Sequence, residues 1–296
     1  MIDYLKESTF AVKDVVMQAW KVTRENYFSL ATLCFLIFLT VSTSTFMAFF
    51  MEEVNIVIKF LMVSLFGFCY CIIELFLIKY ILKLLDAKDG DILIIETLPT
   101  RSEVFRFLLA TFYFGLGILV SMLFIVPILY FLLFLLDGLF KYLVTQNIIA
   151  DYNSTGKIIV QIAMNITGLT VLLAFLKIVF FPFFIIDKNS SAFESIKLSL
   201  AVTKGNFLKL LIFFFSQITI QLLVFYLFSI GFWLIFRVLG LFWNLEFFQQ
   251  YSSLIVVIFT SFLMVPFTTA FLAVAYRKIM NEYKGEEHPD IIHNIV

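Results

Sequence analysis

Residues 158–186 read IIVQIAMNITGLTVLLAFLKIVFFPFFII and carry one charged side chain, Lys177. A helix needs about 20 mostly apolar residues to cross a hydrocarbon core of about 30 Å, so this stretch spans a bilayer with residues left for tilt or a kink. A lone strand cannot occupy it. Backbone polar groups in lipid must be satisfied inside a helix or a closed barrel, and barrel strands read as short alternating segments. Working outward, five further stretches qualify, roughly residues 28–50, 58–80, 106–134, 207–230 and 254–276. The expected fold is all-α: a polytopic membrane helix bundle of about six transmembrane helices, with amphipathic interfacial helices beside it. Residues 28–280 form the spanning domain, 1–27 a cytoplasmic or interfacial helix before it, and 281–296 a polar tail.

The composition agrees with that reading. Of 296 residues, 62% are apolar and 14% charged, and 40 are phenylalanine, whereas a soluble domain is about half apolar and a quarter charged. With 21 basic and 21 acidic residues the net charge is zero, so no long-range field favours nucleic acid. The placement of the cations is more informative. Sixteen of the 21 basic residues fall on one side of the expected spans, including Lys13, Arg24, Lys83, Arg106, Lys204 and Arg277, and four on the other, with Lys177 inside a span. Because lysine and arginine are retained on the cytoplasmic face, both termini are expected in the cytoplasm and the protein in the cytoplasmic (inner) membrane.

The amino-terminal segment lacks the central apolar run of a cleavable signal. Val12, Val15, Val16, Ala19 and Trp20 recur at i, i+3, i+4, i+7, i+8, the spacing of one apolar helical stripe. Two readings stand: a helix lying in the membrane interface, or a helix packed on the bundle. Residues 22–30 also echo 202–210, with Val22, Thr23, Asn26 and Leu30 matched by Val202, Thr203, Asn206 and Leu210. Either a unit of elbow plus membrane hairpin is repeated in parallel, or membrane-entry helices converge on similar compositions. A third copy ahead of the middle hairpin, at residues 92–103, does not align convincingly. Cys34, Cys69 and Cys71 lie in apolar spans and read as small hydrophobes.

The segment Phe180-Phe181-Pro182-Phe183-Phe184-Ile185-Ile186-Asp187, followed by Ala192, Ser195, Ser199 and Lys204-Gly205-Asn206, resembles YciC-like bacterial inner-membrane proteins and the membrane domain attached to some glycerophosphodiester phosphodiesterases. Val126-Pro127, Pro266-Phe267 and Ala275-Tyr276 match later landmarks of that family, over residues 100–280. The resemblance implies a six-helix membrane domain, usually without an assigned activity. No phosphodiesterase catalytic domain is expected within these 296 residues, whose only histidines are His288 and His293 in the polar tail.

Ionisable groups within spans cost about 2.5 to 3.5 kcal/mol at the bilayer centre on insertion scales, so each calls for a reason. Lys177 and Glu74 lie at similar depth below the basic ends of the fourth and second spans, at about 15 and 13 Å by the helical rise. Gln217, Thr268 and Thr269 reach the same level. One reading is a midplane polar site for a headgroup, ion or small solute; the other is a structural Glu74–Lys177 pair with interhelical hydrogen bonds. Asp187, Ser195, Ser199, Lys204 and Asn206 form a second constellation at the interface, either a capped elbow or a lipid-headgroup site. Pro127, Pro182 and Pro266 each remove a helical hydrogen bond, freeing the carbonyls of Leu123, Ile178 and Phe262 for a kink, hinge or ligand.

No metal cluster, nucleophile with its base, or phosphate-cradling glycine loop is present in the sequence, so neither catalysis nor a cofactor is expected. The expected function is a noncatalytic envelope protein organising lipids or partner proteins. Membrane lipids are its expected partners, together with a membrane protein or a second copy of the chain. The alternative is a transporter or channel built on the midplane residues.

Overall fold

A computed structural model describes residues 10–50, 54–87, 94–145, 152–239 and 246–283. The helices follow in the order α1 Val12–Glu25, α2 Tyr27–Phe50, α3 Ile56–Asp86, α4 Arg101–Thr145, α5 Tyr152–Ile178, α6 Phe181–Lys188, α7 Ala192–Leu239 and α8 Glu246–Tyr283, with a 3-10 turn, Ile94–Thr97, ahead of α4. No strand occurs among the described residues. Six segments are long and apolar enough to cross a membrane: Tyr27–Ser44, Ile56–Asp86, Ile95–Phe124, Met164–Lys188, Ala192–Ile235 and Ile258–Met280. The chain is therefore the all-α multi-pass bundle that its apolar runs demand.

Two spans differ from their expected form. The fourth is broken at Val179 and Phe180 into α5 and the short α6, which Pro182 helps to open from its first turn. The fifth is only part of α7, a single helix that also contains the elbow of residues 192–206. At the chain's end α8 runs on to Tyr283, past the expected tail boundary, and residues 284–296, His288 and His293 among them, lie outside the described residues.

The spans are unequal in burial. About half of the fourth and sixth span windows is buried, 50% and 47%, against 17% or less for the other four. The α5–α6 unit and α8 are thus the central pair. Alanines at 270, 273 and 275 on α8, all fully buried, let neighbouring backbones come close, the usual device of helix packing in lipid. Around this pair, α8 meets α1, α2, α3 and α7, while α6 meets α3, α4 and α7. Elsewhere large apolar side chains face outward, among them Leu123 at 73% and Leu227 at 68% exposure. Such a surface is stable only against acyl chains.

The core lies toward the basic ends of the spans. Leu75 to Leu82, Val179 to Ile185, Leu198 to Phe213 and Ala270 to Met280 contribute most of the buried side chains. Helix α1 packs on α8 through Val15, Ala19 and Thr23, while Trp20 stays exposed and meets Phe267 edge-on at 6.1 Å. The buried side of this stripe is therefore covered by α8. The other two hairpins start with the same capping device. Thr100 and Glu103 open α4 reciprocally, backbone N–H of each to the side chain of the other at 2.6 and 3.3 Å, and Ser191 and Glu194 do so for α7 at 3.3 and 3.4 Å.

Candidate functional site

A cavity of about 530 Å³ lies inside the bundle, lined from α2, α3, α4, α5, α6, α7 and α8 and by Val179 between α5 and α6. Its polar side chains are Tyr70, Glu74, Thr111, Thr268 and Thr269. Glu74 projects from the middle of α3 and is half-buried, its carboxylate interacting with Tyr70 one turn earlier. The three threonine hydroxyls each donate to the carbonyl four residues back, at 2.9 Å. The rest of the wall is apolar and rich in phenylalanine.

Three expected members of this site, Glu74, Thr268 and Thr269, are brought together; two are not. Lys177 is exposed and forms none of the ion pairs found among the described residues, so the expected Glu74–Lys177 pair is not made. Depth along a helix is not the same as facing, and the last turn of α5 sends this side chain to the outer surface. Gln217 is buried away from the cavity, its amide donating to the Met264 sulfur at 3.3 Å.

The break between α5 and α6 explains much of the second constellation. Ending α5 at Ile178 leaves the Lys177 carbonyl and the Phe180 N–H without helical partners. Helix α7 supplies both: the Thr203 hydroxyl donates to the Lys177 carbonyl at 2.7 Å, and the Ser199 oxygen accepts from the Phe180 N–H at 3.1 Å. Pro182 was expected inside a helix with the Ile178 carbonyl freed. It sits instead in the first turn of α6, where its missing N–H costs little, and the bonded carbonyl is that of Lys177. Pro127 and Pro266 do lie within helices, and the carbonyl opposite Pro266, on Phe262, accepts from the Tyr27 hydroxyl at 3.4 Å.

Ser195 and Ser199 share one fully buried face, and Asn206 is buried with its amide donating to the Val202 carbonyl at 3.1 Å. These side chains face protein, so they do not form an outward headgroup site. Lys204 is exposed, whereas Lys209 donates to the Phe10 carbonyl at 2.8 Å. Asp187 does not cap α7, a task taken by Ser191 and Glu194. It receives Arg277 at 2.6 Å and the Tyr276 hydroxyl at 2.9 Å.

Arg277 also reaches Asp86 at 2.5 Å, so one guanidinium ties the last turns of α3 and α6 to α8, six residues before that helix ends at Tyr283. Two carboxylates flank one cation, the planar fork suited to such sharing. Asp187 is the buried member, 13% exposed, and Asp86 the exposed one, at 56%. Above the knot, Tyr276 stacks on Phe183 at 5.4 Å and meets Phe184 edge-on at 5.1 Å, closing the basic end with aromatic rings. In the sequence Arg277 was read only as one of the basic residues at the span ends, and Asp86 was not singled out. Their signal is that Asp86, Asp187 and Arg277 occupy the same place, the end of every even-numbered span.

Fold and site together define a polytopic α-helical membrane protein with a chamber inside its bundle. No protein-family model matches the chain, and neither a curated protein nor a solved structure is significantly similar to it.

Proposed function

We propose that the protein is a noncatalytic, multi-pass protein of the bacterial cytoplasmic membrane that receives an amphipathic molecule from the bilayer into the chamber around Glu74. The observation that carries this reading is the cavity itself: about 530 Å³ lined mostly by apolar side chains with a few polar groups, the make-up of small-molecule sites in general. An acyl or aryl body is matched to the phenylalanine wall and a polar end to Glu74 and Tyr70. Both termini face the cytoplasm in this reading, since the ends carrying Asp86, Asp187 and Arg277 are the lysine- and arginine-rich ones. The likeness to YciC-like proteins fits the same reading.

A second role, organising anionic lipid, is favoured by a separate observation. Lys13, Lys21 and Arg24 on α1, and Lys197 and Lys204 at the start of α7, are all exposed, and basic residues at a membrane surface attract anionic headgroups with about 1 kcal/mol each.

Photolabelling tests the chamber. A diazirine-bearing fatty alcohol in nanodiscs is expected to label peptides containing Tyr70 to Leu77 and Phe107 to Phe114. Gly67→Leu is expected to suppress that labelling, because Gly67 lines the cavity and a Cβ placed there meets nothing within 4 Å. Label found only on outward side chains such as Leu123 and Leu227, unchanged by Gly67→Leu, rejects the proposal.

A further inference from the structure

We infer that the occupant of the chamber is an organic monocation, an amine or quaternary onium group on an apolar body. This rests on the chamber reading above and adds its charge. The described residues that line the cavity include one carboxylate, Glu74, and no lysine, arginine or histidine. The cation that the sequence places at the same depth, Lys177, is turned to the outer surface, so the chamber is left with an acidic group and no basic one. A half-buried carboxylate at membrane depth that faces an apolar wall without a counter-charge is costly, and an entering cation offsets that cost.

The remaining wall discriminates among cations. Phe107, Phe114, Phe175, Phe181, Phe183 and Phe214 line the cavity with Tyr70, and aromatic rings attract onium groups through their quadrupole. A metal cation is poorly served here: calcium takes about six to eight oxygen ligands, and this wall presents one carboxylate, one phenol and three threonine hydroxyls in a space far larger than an ion. A phospholipid headgroup is excluded on charge, because its phosphate would enter a chamber with no cationic partner and one anionic neighbour. The organic monocation satisfies the carboxylate, the aromatic wall and the volume together.

The test uses two ions of nearly the same size and shape and opposite charge, tetraphenylphosphonium and tetraphenylborate, with the full-length protein in nanodiscs of neutral lipid. Wild type is expected to bind radiolabelled tetraphenylphosphonium saturably and tetraphenylborate about ten-fold or more weakly. Glu74→Gln is expected to lose the preference, and Gly67→Leu to lose both ligands. Glu74→Asp keeps the charge and is expected to retain the preference, which covers the case in which Glu74→Gln does not accumulate. If the borate binds as well as the phosphonium, or if Glu74→Gln leaves the preference unchanged, the inference on charge is overturned while the chamber reading survives. If neither ion binds saturably and the diazirine probe also fails to label the chamber, both fall.

Discussion

Residues 12–30 and 192–210 share much of a burial pattern on two different supports, although Gln18 and Lys21 are exposed where Leu198 and Ala201 are buried. Val15, Ala19, Thr23 and Leu30 are buried where Ser195, Ser199, Thr203 and Leu210 are buried, and Trp20, Arg24 and Phe28 are exposed where Leu200, Lys204 and Leu208 are exposed. Asn26 and Asn206 make the same bond, each amide to the carbonyl four residues earlier at 3.1 Å. The supports differ. The first elbow packs on α8, which is unbroken there, and the Thr23 hydroxyl is buried with no partner among the described residues. The second packs on a span broken at Val179 and Phe180, and Thr203 and Ser199 bind the groups that the break frees. The chain direction differs as well: α1 stops at Glu25 and α2 begins at Tyr27, whereas α7 runs straight through the equivalent place. The likeness of the two segments thus extends from sequence to contact, and an identical threonine is a clamp or a spare group according to the backbone beneath it.

The strongest break in this comparison lies at Arg277, which joins the support of one elbow to that of the other. Arg277→Met takes the nearer of two cations from the half-buried Asp187, leaving Lys188 at 3.5 Å, and is expected to destabilise by about 2 to 3 kcal/mol, read by denaturant titration of the purified protein in micelles. Asp86→Asn removes the exposed arm of the same knot and is expected to cost under about 1 kcal/mol; equal effects of the two substitutions would contradict the asymmetry in burial. Next comes the double substitution Ser199→Ala with Thr203→Val, expected to cost about 2 to 3 kcal/mol because it orphans the Phe180 N–H and the Lys177 carbonyl together. Hydrogen exchange at the Phe180 amide should rise in that variant. The smallest effect is expected at Thr23→Val, within about 0.5 kcal/mol of neutral or slightly stabilising, since no bond is lost there. A loss at Thr23 as large as that of Thr203→Val alone, about 1 kcal/mol, would mean that the two elbows are held alike.

Much of the fold could be read directly. Six apolar runs became six candidate spans, because length and hydropathy decide whether a segment tolerates lipid, whatever its neighbours do. The stripe from Val12 to Ala19 was legible for a similar reason: its period is local. The site was legible only in part. Glu74, Thr268 and Thr269 could be placed at one depth by counting residues, yet the azimuth of a side chain around its helix depends on what packs beside it, and this is where Lys177 and Gln217 departed from expectation. The capping pairs Thr100–Glu103 and Ser191–Glu194 did carry a sequence signal, a hydroxyl followed three residues later by glutamate.

Taken alone, the amino-acid order determined the helical class, the number of apolar spans and the two matching elbows, since these follow from backbone satisfaction in lipid and from helical periodicity. Only the tertiary structure decided that the fourth and sixth spans are central, that Arg277 gathers Asp86 and Asp187, and that Glu74 faces an aromatic chamber without Lys177. Those outcomes depend on how helices turn toward one another, which is settled by packing among residues far apart in the chain.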